Sequence, residues 1–81
     1  MRSYYVTRED GRDRRYDWLE ILAINGVQTM DDAVEFFANH HDTHDTEILY
    51  AAERQLDDEP GEWIAYRCTS VTTMAVARVE P

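Results

Sequence analysis

Apolar positions in this chain follow two periods. From Met30 to Ala38 they recur at Met30, Ala33, Val34, Phe37 and Ala38, the three-and-four spacing of one helical face, while Asp31, Asp32 and Glu35 fall on the opposite side. Thr29 stands where an N-cap hydroxyl is wanted, and Asp31 and Asp32 place negative charge in the first turn, where the helix dipole favours it. The pattern predicts a helix over residues 30–40, followed by a polar loop after Asn39. Elsewhere the period is two. A strand is expected near residues 3–9 and a second near 12–23, separated by Asp10-Gly11, a pair suited to the positive φ angles of a tight hairpin turn. In that second strand Leu19, Ile21 and Ala23 fall on one side and Trp18, Glu20 and Leu22 on the other. A short helix competes for the same residues, because Asp17 and Glu20 have capping-box spacing and Gly26 would stop it.

After the helix, residues 47–55 admit both readings. Ala51-Ala52-Glu53-Arg54-Gln55 favours helix, whereas Ile48, Tyr50 and Ala52 alternate as a strand does. The segments that follow decide for strand, since residues 63–68 (WIAYRC) and 71–79 (VTTMAVARV) are rich in aromatic and β-branched residues, with a loop broken by Pro60-Gly61 before them. The expected fold is α+β, a β-β-α-β-β-β chain forming one antiparallel sheet of about five strands with one helix packed on one face. At 81 residues it is expected to be a single domain.

Charge changes this picture more than composition does. The formal net charge is −9 and all eight cationic side chains are arginine. Residues 1–15 hold five arginines against three acids, and residues 63–81 hold two against one. Residues 16–62 hold thirteen acids against Arg54 alone, a local charge of −12. Such a field repels nucleic acid and attracts basic protein surfaces. The acids form three groups: Asp31, Asp32 and Glu35 on the helix; Asp42, Asp45 and Glu47 after it; and Asp57, Asp58, Glu59 and Glu62 in the Pro60-Gly61 loop. Solubility alone accounts for many charge runs, and high-salt adaptation also yields acidic, lysine-free chains. An interface is the competing reading, because a solvated surface normally mixes signs. A protein presenting carboxylates where phosphates would sit can occupy the arginines and lysines of a nucleic-acid site. Asp31, Asp32, Glu35, Asp57, Asp58, Glu59 and Glu62 are the expected partner-binding residues.

Other chemistry finds less support. His40, His41 and His44, with Asp42 and Asp45, have spacings that could ligate zinc, but a polar loop leaves such ligands without orienting partners, so no metal is expected. Cys68 is the single cysteine and sits in an expected strand, which points to a buried thiol and a reducing compartment. No phosphate loop, nucleophile elbow or zinc-protease motif is present, and neither catalysis nor a cofactor is expected. The Arg12–Arg15 run near Tyr4, Tyr5 and Tyr16 is interleaved with Asp10 and Asp13, which favours ion pairing across the hairpin over nucleic-acid contact. No stretch has the apolar length of a membrane span and no apolar leader is visible, so a cytoplasmic location is expected, without membrane or direct nucleic-acid partners.

An aromatic pair opening the first strand (Tyr4-Tyr5-Val6), an acidic helix start (Asp31-Asp32-Ala33) and a late Glu62-Trp63-Ile64-Ala65-Tyr66 strand resemble small phage-encoded anti-CRISPR proteins of the type I inhibitor kind. The resemblance implies a non-catalytic inhibitor acting in a bacterial host. It further implies a Cas protein of a type I Cascade complex as partner, and loss of target DNA binding as the effect. The alternatives are a generic acidic interaction or regulatory module and a metal-binding histidine loop. Such a module could dimerise through an edge strand at 72–79, which only Arg78 guards.

Overall fold

A computed structural model describes residues 3–8, the backbone of 19–22, and residues 29–41 and 43–79. The elements run β1 (Ser3–Arg8), β2 (Leu19–Leu22), α1 (Met30–His40), β3 (Ile48–Glu53), β4 (Ile64–Ser70) and β5 (Met74–Arg78). The strands lie in the order β2-β1-β3-β4-β5, and each neighbouring pair is antiparallel. The α+β class expected from the pattern, an antiparallel sheet with one helix, is the one observed. Residues 19–22 are strand, not the competing helix, and 48–53 are strand as well. The expected Asp10-Gly11 turn, Gly26, Trp18 and the Arg12–Arg15 run lie outside the described residues. Among the described residues, no helix is long and apolar enough to cross a membrane.

Cross-strand partners share a face, which fixes where the core sits. Val6 pairs with Ala51, Leu49 with Tyr66, and Cys68 with Val76. Val6, Leu49, Ala51, Tyr66 and Cys68 are fully buried beneath Ala33, Val34, Phe37 and Ala38 of α1. Met30 of the expected helical stripe is only partly buried, and Phe36, which lies off it, packs against the same core. Burying side chains of this size contributes roughly 1.5–3 kcal/mol each, so the helix is held mainly by this face. Its N-terminus is closed by a reciprocal box: Asp32 N–H donates to Thr29 Oγ1 (3.2 Å) and Thr29 N–H to Asp32 Oδ2 (3.3 Å).

Several strand limits differ from expectation, among them β4, which runs Ile64–Ser70 and not 63–68. The last strand begins at Met74, and Val71 N–H donates to the Thr73 carbonyl, so Val71-Thr72-Thr73 turns the chain between β4 and β5. The β-branched content of these residues suggests strand, but the Ser70↔Met74 pairing leaves three residues for the reversal. β3 ends at Glu53, because Arg54 and Gln55 enter the next loop through the Arg54↔Pro60 bridge.

Candidate functional site

The loop from Arg54 to Trp63 is an ordered extension of the β3–β4 hairpin. Gln55 N–H donates to the Glu59 carbonyl (2.9 Å) and Asp58 N–H to the Gln55 carbonyl (3.0 Å), enclosing Leu56, Asp57 and Asp58 as a three-residue tip. A left-handed residue is needed to close such a tip, and Asp58 supplies it at φ 65°, a conformation that aspartate tolerates better than most side chains. Its carboxylate accepts from Arg54 Nε (2.8 Å) and also from Arg54 Nη2, while its carbonyl accepts from the Tyr5 hydroxyl (2.8 Å). Asp57 Oδ1 accepts from Glu59 N–H, and Gly61 N–H returns to the Glu53 carbonyl at 2.8 Å. Leu56, at the tip, is completely exposed. Shallow depressions of about 220 and 450 Å³ lie on either side of it.

The second acidic group sits at the start of α1. Asp31 Oδ1 accepts from the Tyr66 hydroxyl at 2.6 Å and from Arg78 Nε at 3.4 Å, and Arg78 Nε also reaches the Tyr66 oxygen at 3.2 Å. These contacts seat the first turn of α1 over the pair Tyr66↔Arg78. Burial, and then the neighbouring Asp31 carboxylate, push the Tyr66 phenol up to about 12. The Arg78 guanidinium is raised as well, chiefly by its bond to the Tyr66 oxygen. β4 begins at Ile64, two residues before Tyr66, so the α1 start and the 54–63 loop lie at the same end of the sheet.

Of the seven expected binding residues, four have carboxylates bonded within the fold: Asp31 to Tyr66 and Arg78, Asp32 to the helix cap, Asp57 to Glu59 N–H, and Asp58 to Arg54. Glu35 and Glu62 are exposed, and Asp57 and Glu59 border the Leu56 tip.

No family model, curated protein or solved structure matches this chain.

The histidine window has a packing role at the other end of the sheet. α1 runs one residue past Asn39, and His40 stacks on Phe36 (centroids 4.0 Å apart) with Nδ1 2.9 Å from the Phe36 carbonyl oxygen. His41 stacks on Phe37, and its N–H donates to the Phe37 carbonyl. His44 N–H donates to Glu47 Oε1, the other oxygen of which pairs with Arg8 at 2.5 Å, and Asp45 Oδ1 accepts from Ser70 N–H. Among the described residues, no three His, Cys, Asp or Glu side chains are grouped to hold a metal; Asp42 lies outside them. Cys68 is buried, and burial together with the nearby Glu47 charge raises its thiol to about 11, the opposite of an activated nucleophile.

One functional contact escaped sequence reading altogether. Asn39 takes both backbone groups of Met74: its Oδ1 accepts from Met74 N–H (2.8 Å) and its Nδ2 donates to the Met74 carbonyl (3.0 Å). The Met74 end of the β5 edge is therefore closed by a helix amide. An asparagine in a helix's last turn, four residues after a glutamate, carries no signal that names a strand as its partner.

Proposed function

We propose that the protein is a non-catalytic inhibitor of the anti-CRISPR kind, which sets its acidic end against a basic DNA-binding surface of a type I Cascade complex and keeps target DNA from binding. The observation that carries this reading is the placement of the first turn of α1, with Asp31 and Asp32, and of the acidic 57–62 loop at the same end of the sheet. Their charge matches a phosphate-binding groove, and the rigid Arg54–Asp58 framework presents Leu56 and its flanking carboxylates with little ordering cost. Glu35, Asp57, Glu59 and Glu62 are the residues that meet arginine or lysine of the partner. Asp31, Asp32 and Asp58 hold the surface in shape.

The test is target-DNA binding by purified type I Cascade, followed by gel shift with increasing amounts of the protein. Wild-type protein should abolish the shifted band, and the quadruple variant Glu35→Lys, Asp57→Lys, Glu59→Lys, Glu62→Lys should need at least tenfold more, because like charges then face each other. A Cascade that holds its target equally well at saturating protein ends this reading.

A further inference from the structure

We propose that two copies of this chain associate through the free edge of β5, in an antiparallel register centred on Ala77. This does not rest on the partner named above; Glu35 is the one residue both readings use. The backbone bonds alternate along β5: Val79 N–H donates to the Ala65 carbonyl and Val71 N–H to the Thr73 carbonyl, which sets odd-numbered positions of the 73–79 stretch toward β4. Met74, Val76 and Arg78 then turn their N–H and C=O groups outward. Asn39 satisfies Met74 and closes it to any other strand. Among the described residues, two are left open, Val76 and Arg78.

Two antiparallel registers of this short edge avoid Met74, and the one that sets Arg78 against Arg78 brings like charges together, which leaves one. Val76 must oppose Arg78 of the second copy, and Arg78 must oppose its Val76. Ala77 then faces Ala77 across the two-fold axis. The alternative, Val76 against Val76, would drive Arg78 onto the blocked Met74. Charge supports a second copy as the occupant: residues 63–79 contain no acid in a chain of net charge −9, so this hairpin brings two copies together without setting acidic strands face to face. A complementary pair also arises. Asp31 meets Arg78 and Asn39 meets Met74, so Glu35, midway along that helical stripe, stands beside Val76. In the Ala77 register, Arg78 of one copy therefore lies alongside Glu35 of the other, twice per dimer. On the opposite face Ala75 and Ala77 are exposed, and their small side chains let the paired strands approach.

Sedimentation equilibrium from about 1 to 500 µM chain, spanning the affinities of small interfaces, should show the mass moving from one chain to two. Val76→Pro removes an outward N–H without touching the β4 ladder, so it should stay folded by circular dichroism and dimerise at least tenfold more weakly. Ala77→Cys should form an interchain disulfide rapidly in air, because directly opposed residues of a non-hydrogen-bonded pair have Cα atoms about 4.5 Å apart. Ala75→Cys should not, since two copies of that position would lie roughly 13 Å apart. The buried Cys68 does not compete. A chain that stays monomeric over the whole range, a folded Val76→Pro variant that dimerises like wild type, or an Ala75→Cys variant that cross-links as fast as Ala77→Cys overturns the proposal.

Discussion

The Tyr66 hydroxyl donates to Asp31 Oδ1 at 2.6 Å, joining the buried ring at the centre of β4 to the solvent-facing first turn of α1. Asp31 thus belongs to an acidic surface and at the same time anchors the helix that displays it. Tyr66→Phe keeps the ring and removes only this bond and the contact with Arg78. A loss of about 1 kcal/mol is expected, the usual net worth of one hydrogen bond. Urea denaturation of the two proteins measures it.

Alkaline pH should unfold the protein through the same residue. The folded-state phenol titrates near 12, above its ordinary value of 10.0, so its contribution is complete below pH 10 and is lost as pH rises from there toward 12. Cys68, raised from 9.0 to about 11, acts in the same direction beginning one unit lower. Two units on the buried phenol correspond to about 3 kcal/mol. Urea midpoints measured from pH 8 to 11 should fall, with Tyr66→Phe flattening the upper part of the decline and Cys68→Ala the lower.

Cys68 should be chemically silent in the native state. Its side chain is fully buried, and the raised pKa leaves almost no thiolate at pH 7. A disulfide reagent should label it only as fast as the chain opens, so the labelling rate should rise steeply with urea. Prompt labelling in buffer alone would contradict the burial.

Thr29→Ala breaks half of the capping box and should cost about 1 kcal/mol. The loss acts on the end of α1 that carries Asp31 and Asp32. Thermal melts give the stability, and amide exchange in residues 30–33 should accelerate more than in β3.

Asn39→Ala should release the Met74 amide. Backbone hydrogen exchange at Met74, slow while Asn39 Oδ1 accepts its proton, is expected to speed up at least tenfold, with β4 amides unchanged. Equal exchange in both proteins would mean that the amide is protected by something other than Asn39.

Much of this architecture was legible before any coordinate. The helical stripe Ala33, Val34, Phe37 and Ala38 is buried as its spacing requires, because a helix repeats every 3.6 residues wherever it is placed. Thr29 caps that helix through contacts three residues away, a distance that sequence alone can see. By contrast, Val71-Thr72-Thr73 has strand-like residues and makes a turn, since strand limits follow from which partner is paired. The acidic groups were visible as composition. That the carboxylates of Asp31, Asp32, Asp57 and Asp58 are hydrogen-bonded within the framework was not.

Sequence by itself determined the local quantities of this protein: the helical period, the cap, the alternation of the strands, the arginine-only cation set and the acidic middle. Each depends on residues within a few positions of one another. Only the tertiary structure decided that β1 sits between β2 and β3, that two acidic segments share one end of the sheet, and that Asn39 closes the Met74 edge. Those relations span 13 to 49 residues of chain and depend on how the helix and strands pack together, which no local preference encodes.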